Sequence, residues 1–368
     1  MMKQYLYCLS FSRFLAMISA LLLLGVSQAF GEQAAARGSS SVPSEAFKTG
    51  MHAVLTGVGA RFSVRDEGGS GVLVIVDGEA LQFDIGPMTV QRMAKAGFNP
   101  SAVGRLFISH LHMDHISAFP EYLSLSHMFG GEVNVYGPRG AKAMVSGAEA
   151  FLEFDFDAME RAGGRKLHVV VTELEQGQVV LETQDYTVSA VRTPHLDIEG
   201  PHSFAYRVQS RYGSIVISGD TAPSLNVLEL AKGADLLIHE VFQDPSSIVG
   251  EPAFERLDPD TQALLKRGPD RLADGLRHQP PTFGHSVPAE VGKLAAEAGV
   301  AKLVLTHRPV FAATMEDRHL ATSVWGLAQS DVSFATRTEL LVEARRHFSG
   351  PVIMAEPLMH FEIGKHID

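Results

Sequence analysis

The chain has 368 residues, 45% hydrophobic and 20% charged, with 16 histidines and a single cysteine. That balance is globular, too apolar for disorder and too mixed for a bundle of membrane spans. A net charge of −11 argues against broad neutralisation of nucleic-acid phosphates, and one cysteine excludes an intrachain disulfide framework and any multi-cysteine zinc site. A bound metal would have to be held by histidine and carboxylate.

Residues 1–29 have the makeup of a signal peptide. Lys3 and Arg13 form a basic start, residues 15–26 are apolar apart from Ser19 and Gly25, and Ser27-Gln28-Ala29 offers the small-x-small pattern that a signal peptidase accepts. The apolar run is shorter than the roughly 20 residues that a membrane-spanning helix needs. Cleavage after Ala29 removes Lys3, Arg13 and Cys8 but no acid, leaving 339 residues with a net charge of −13 and no cysteine. The expectation is a periplasmic or secreted protein with no membrane contact once the signal is cleaved. Residues 30–50, rich in Ala, Gly and Ser, read as a flexible leader into one domain spanning 51–368.

From residue 51 the pattern turns strand-like. HAVLTGVGARFSV, GVLVIVDG and EALQFDIG, broken at glycines, predict a β-meander whose third strand runs to Asp84-Ile85-Gly86-Pro87. A helix over 89–96 is closed by Gly97, and 105–109 (RLFIS) is a short buried strand that runs into a histidine cluster. A helix at 117–128, a strand at 132–136 and a helix after Pro138 follow. Strands are predicted at 167–172, 186–192, 203–209 and 214–218. The chain then alternates: helix 224–231, strand 235–239, helix 288–298, strand 302–306, helix 337–348, and closing strands at 351–354 and 360–363. Early strands followed by alternation predict a layered α/β domain. Two insertions break the pattern, one near 243–283 with six prolines and one near 309–335. Connections of that length are commonly lids, binding loops or disordered segments. Phe151, Phe154 and Phe156 read as packing or as a dimer contact, which allows a homodimer.

The string His110-Leu111-His112-Met113-Asp114-His115 follows the predicted strand at 105–109. Positions i and i+2 of an extended segment face the same way, so His110 and His112 can reach one metal. Asp114 and His115, where the chain turns, can face a second. Other ligand-type residues stand at strand ends, where the ligand-binding residues of α/β sheets collect: His195 after 186–192, Asp220 after 214–218 and His307 after 302–306. These residues suffice for two divalent ions roughly 3.5–4 Å apart, with the two oxygens of Asp220 as the natural bridge. Imidazole suits zinc, and manganese or iron(II) is compatible with the same set.

The order FDIGP, SHLHMDH, TPH, SGDT, ADLLIHE, GHSVPAEVGKLAAEAG and LVLTH resembles the metallo-β-lactamase superfamily, more specifically its ribonuclease Z and arylsulfatase-like branch, over residues 51–363. The resemblance implies a four-layer αββα sandwich with a dinuclear site at one edge of its two sheets. It implies that His110, His112 and His195 hold the first metal, that Asp114, His115 and His307 hold the second, and that Asp220 bridges them. It further implies that His285 binds the substrate's anionic group or protonates the leaving group, with Glu240 orienting it. Asp114 counts among the catalytic residues as well as the ligands. His239 reads as structural, and Asp84 as a hydrogen-bond partner of a ligand histidine. One departure concerns the region after His195, where ribonuclease Z enzymes carry a tRNA-gripping arm; here Pro201 leads directly into the strand at 203–209. With the export signal and the charge of −13, this sets the expectation that nucleic acid is not a partner.

The expected activity is metal-dependent hydrolysis of a small-molecule anionic ester, an aryl sulfate or a phosphodiester, by a metal-bridging hydroxide. Two alternatives use the same residues: a lactonase or other carboxylic-ester hydrolase, and a non-catalytic metal-binding protein that keeps the fold.

Overall fold

The computed structural model describes residues 45–60, 67–129, 131–164, 166–195, 203–242, 259, 284–307 and 336–364. The signal peptide expected at 1–29 and, apart from Pro259, the two insertions lie outside these residues. So do residues 196–202, where the tRNA-gripping arm would be sought.

The meander forms as its glycine breaks predict. β1 (Met51–Val58), β2 (Ser70–Val76) and β3 (Glu79–Phe83) pair antiparallel. Every residue of β1 is buried, because a strand covered on both faces has no side for water and needs an unbroken apolar run. β4 (Arg105–Phe107), β5 (Glu132–Pro138) and β6 (His168–Leu174) extend this sheet in parallel from β3. The second sheet begins with the antiparallel run β7 (Gln178–Glu182), β8 (Tyr186–Arg192), β9 (Phe204–Ser210) and β10 (Gly213–Ile217). It continues in parallel through β11 (Leu236–Glu240), β12 (Leu303–Thr306) and β13 (Val352–Met354). The last strand, β14 (His360–Ile363), returns to the first sheet and pairs with β1. The strand orders are β14-β1-β2-β3-β4-β5-β6 and β13-β12-β11-β10-β9-β8-β7.

Apolar side chains from the two sheets meet in one core that includes Leu55, Phe83, Phe107, Tyr206, Ile238 and Val304. The rings of Phe83 and Phe107 stack there at 4.8 Å. The outer face of the first sheet is covered by α1 (Thr89–Lys95), α2 (Met113–Ile116), α3 (Phe119–Phe129) and α4 (Ala141–Phe151), through residues such as Met93, Tyr122 and Val145. α5 (Glu153–Arg161) follows on the same side, packed against α3 and α4. The second sheet is covered by α6 (Leu225–Ala231), α7 (Pro288–Ala298) and α8 (Arg337–His347), through Val227, Leu294 and Leu340. The result is a four-layer αββα sandwich. Among the described residues no helix is long and apolar enough to cross a membrane.

Four features differ from the sequence reading. β7 was not expected, because this edge strand buries no residue and carries no alternating apolar signal. α5 was not expected either, since it too buries no residue. Phe151 and Phe154 are 78% and 83% exposed, and only Phe156 packs, stacking on the His127 ring at 4.3 Å. Finally, Glu45–Phe47, inside the expected leader, forms a 3-10 turn that buries Phe47 against Phe98, His52 and His360. These residues are anchored to the domain by an aromatic side chain.

Candidate metal centre

β3, β4, β8, β10, β11 and β12 end at one edge of the sandwich, and each hands the chain to a site residue. Asp84 follows β3, His110 follows β4, His195 follows β8, Asp220 follows β10, Glu240 ends β11 and His307 follows β12. The carboxyl ends of strands place side chains from different elements within reach of one another while the sheets hold their positions rigid. Asp84 and His307 both sit in left-handed backbone, at φ 53° and 51°. A non-glycine residue there costs free energy, which the surrounding hydrogen bonds offset.

Two groups of ligand-type atoms assemble. The first is His110, His112, His195 and Asp220; the second is Asp114, His115 and His307; within each group the atoms lie no more than 4.8 Å apart. Asp220 faces both. Its Oδ2 is 3.7 Å from Nε2 of His110 and 3.7 Å from Nε2 of His195. Its Oδ1 is 3.3 Å from Nε2 of His115 and 3.3 Å from Nε2 of His307. Asp114 joins the second group through its Oδ2, 3.1 Å from His307 Nε2, and His112 joins the first through its Nδ1, 3.2 Å from His195 Nε2. All of these residues except His112 are buried. The Nε2 atoms of His110 and His115 and the Oδ1 of Asp220 are buried without a hydrogen-bond partner. Buried polar atoms are seldom left unpaired, and here the unpaired ones converge, which is what a cation site requires. The residues present fit two divalent ions.

The outward-facing atoms of the same side chains are tied down. His115 Nδ1 donates to Asp84 Oδ2 at 2.8 Å, and His195 Nδ1 donates to the Gly284 carbonyl at 2.7 Å. The carbonyl of Asp220 accepts from Ser203 Oγ at 3.0 Å and from Thr193 Oγ1 at 3.2 Å. Of these partners only Asp84 stands out in the sequence, as the acid ending a predicted strand. Ser109, Thr193 and Ser203 carry no spacing signal; the one cue for Ser109 is its place directly before the HxHxDH string.

The charges of the cluster are mutually dependent. Burial, then the neighbouring His115, holds His110 well below the ordinary histidine pKa. His112 and His195 are lowered too, chiefly by burial. Burial favours the neutral form of Asp220, yet His307 and His115 outweigh it and hold this carboxylate well below its usual range. Asp114 behaves alike: against burial, the hydrogen bond from His307 lowers it to about 2. His115 goes the other way, because Asp220 and Asp84 outweigh burial and raise it. His110, His112 and His195 are thereby neutral beside ionised carboxylates, the state that metal ligation needs, whereas His115 must give up its proton for an ion to bind.

His285 stands beside this cluster. One of its ring nitrogens lies within 4.8 Å of ligand atoms of Asp220 and His307. Its Nδ1 is 3.1 Å from Glu240 Oε1, an oxygen that also accepts from the backbone N–H of Thr221 and of Ser286, each at 3.1 Å. Burial opposes a charge on His285, but the Glu240 carboxylate prevails and pushes its pKa up to about 9. Phe242 stacks on the ring at 5.0 Å. Ser286 does not cap α7 with its side chain: Val287 occupies the cap position and its N–H reaches Glu290, while Ser286 Oγ donates to the Thr221 carbonyl. His239 belongs to neither ligand group and donates from Nδ1 to the Glu240 carbonyl at 2.7 Å.

A two-sheet αββα sandwich with this His/Asp cluster at one edge defines a metal-dependent hydrolase of the metallo-β-lactamase fold. The fold is shared with the metallo-β-lactamase fold protein YhfI from Bacillus subtilis, at TM-score 0.57 and 20% identity over 86% of this chain and all of that one. It is also shared with human tRNase Z, short form, at TM-score 0.54 and 22% identity over 85% of this chain and 99% of that one. The chain belongs to the family described as "Anti-Pycsar protein Apyc1", whose model matches residues 51–249. Among curated relatives, ribonuclease Z of Methanosarcina mazei is 28% identical over 279 residues, which are 70% of this chain and 87% of that protein.

These relatives correct one expectation. Nucleic acid was excluded as a partner on net charge, the export signal and the missing arm, yet relatives by sequence and by structure are ribonucleases by name. The physical fault in that exclusion is one of scale. Net charge is a whole-molecule sum, whereas a phosphodiester meets the local field of a cleft, where bound cations are the largest charges.

Proposed function

We propose that the protein is an exported hydrolase that cleaves phosphodiester bonds at a two-metal centre. The observation that carries this reading is the division of Asp220, one oxygen toward each ligand group. His110, His112, His195 and Asp220 Oδ2 would hold one divalent ion, and Asp114, His115, His307 and Asp220 Oδ1 the other. Zinc suits the imidazole-rich set best. Such ions supply Lewis acidity toward phosphoryl oxygens and a nucleophile generated from water at neutral pH.

The remaining steps belong to the chain. Asp220 sets the spacing of the two groups, and its backbone carbonyl, held by Ser203 and Thr193, keeps the carboxylate aimed between them. His285, kept protonated by Glu240, would hold the anionic phosphoryl group or pass its proton to the leaving oxygen through Nε2. Glu240, fixed by two backbone N–H groups, orients that ring without touching substrate. The relatives named ribonuclease Z bring RNA phosphodiesters within the scope of the proposal. Export is supported by the basic start, the apolar run and the small-x-small site at Ser27–Ala29.

The test is a side-by-side assay of zinc-loaded protein on an aryl phosphodiester, a 3′-extended tRNA, an aryl sulfate and a lactone. Turnover of the first or second is expected, and the pair distinguishes a small substrate from an RNA one. Turnover confined to the sulfate or the lactone overturns the phosphodiester reading. N-terminal sequencing of the periplasmic fraction should begin at Phe30, and recovery of the protein in the cytoplasmic fraction alone would refute export.

A further inference from the structure

We infer that the hydroxyl of Ser109 sets the tautomer of His110 by relaying it to the Asp84 carboxylate, which itself sets the tautomer of His115, so that Ser109 is a positioning residue for His110; the inference rests on the metal-centre reading above. Ser109 is buried and immediately precedes His110. Its Oγ donates to Asp84 Oδ2 at 2.8 Å, and lies 3.1 Å from His110 Nδ1 and 3.3 Å from His115 Nδ1. His115 Nδ1 reaches that same Asp84 oxygen at 2.8 Å.

Proton counting then decides the direction of each bond. An ionised carboxylate only accepts, and a hydroxyl has a single proton to give. With that proton directed to Asp84, Ser109 Oγ can only accept from His110, which must therefore carry its proton on Nδ1. His115 must do the same to donate to Asp84. Two chains of donors, His110 to Ser109 to Asp84 and His115 to Asp84, end on one carboxylate oxygen. Both Nε2 lone pairs are thereby turned inward, and these are two of the buried atoms without a hydrogen-bond partner. The opposite direction, Ser109 donating to His110, would put the His110 proton on Nε2, where no ion can bind.

The hub is held from both sheets. The Ser109 N–H donates to Asp84 Oδ1 at 2.7 Å, and its carbonyl accepts from the N–H of Phe204 on β9 at 2.9 Å. Gly219, at φ 58°, lets the loop carrying Asp220 close on this serine, for a Cβ there would lie 2.8 Å from Ser109 Cβ. One hydroxyl thus links Asp84, both ligand groups and the bridge-bearing loop.

The test compares the full domain of wild type, Ser109→Ala and Asp84→Asn. Nitrogen-15 spectra of the imidazoles, taken metal-free at a pH where His110 is neutral, report which nitrogen is protonated, and calorimetry with zinc reports affinity. Wild type should show His110 with its proton on Nδ1. Ser109→Ala should move His110 toward the Nε2 form while leaving His115 unchanged, and weaken zinc binding by about 10–100-fold. Asp84→Asn, whose amide donates where the carboxylate accepted, should disturb both rings. An unaltered His110 tautomer in Ser109→Ala, or zinc affinity within about twofold of wild type, overturns the inference. Fewer than two zinc ions on the wild type would instead defeat the metal-centre reading, with the tautomer comparison still deciding the role of the hydroxyl. Should Ser109→Ala fail to fold, Asp84→Asn decides the question: the inference fails if both rings keep their wild-type tautomers.

Discussion

Asp220 and Asp114 are chemically identical and differ only in what their oxygens face. Asp220 presents one oxygen to each ligand group, whereas among the described residues Asp114 pairs with His307 and His115 of the second group. The two should therefore fail differently. Asp220→Asn is expected to weaken binding at both sites, whereas Asp114→Asn should leave the group of His110, His112 and His195 able to hold its ion. Elemental analysis of dialysed protein checks this as metal per chain, near zero for the first variant and near one for the second. Equal losses would contradict the assignment of Asp220 as the bridge. Phosphodiester turnover should fall by at least about 100-fold in both, more than the loss typical of altering a residue behind the ligands. At this scale the ligand types were legible in the sequence, because HxHxDH and acids at strand ends carry their chemistry in their order. The partners behind them were not. A serine before a histidine or a threonine in a strand is ordinary until the fold shows which carbonyl or carboxylate it meets.

Elements repeat the lesson at larger size. α7 (Pro288–Ala298) and β8 (Tyr186–Arg192) have the ends that Pro288 and their apolar patterns predict, since each is bounded by local signals. β7 and α5 escaped notice because neither buries a residue, and burial is what impresses a pattern on sequence. The pairing of β1 with β14 is also invisible locally, joining segments some 300 residues apart, and it carries a pH dependence. His52 Nδ1 and His360 Nε2 lie 3.1 Å apart, with Phe47 against both rings and Glu362 opposite His52 in the register. Burial and then the neighbouring His52 lower the pKa of His360, against the pull of Glu362. A histidine lowered in the folded state binds its proton more readily when unfolded, so stability falls as pH drops below about 6.5 toward the folded value. His360→Gln removes that titration. Metal-free His360→Gln should lose less melting temperature between neutral and mildly acidic pH than metal-free wild type, by calorimetry at matched ionic strength. An identical loss would show that His360 does not titrate across this window.

For the molecule as a whole, metal and fold should be coupled but separable. The inter-sheet core of Leu55, Phe83, Phe107 and Tyr206 does not depend on the site, so chelation is expected to leave a folded chain. Ions that bind only the folded state stabilise it by mass action, about 2.7 kcal/mol per site at a hundredfold excess over Kd. Stripping them should lower the melting temperature while circular dichroism at 25 °C stays near that of the loaded protein. A melting temperature indifferent to zinc and chelator would argue against ions bound in the buried cluster. The sequence by itself determined the layered α/β class and the types of residue that could bind metal, because apolar periodicity and motif order are local properties of the chain. Only the tertiary structure decided that Ser203 and Thr193 hold the Asp220 carbonyl, and that Ser109 joins His110 to the same carboxylate oxygen of Asp84 that His115 meets. Those relations are distances between strand ends far apart in the chain, and packing alone brings them together.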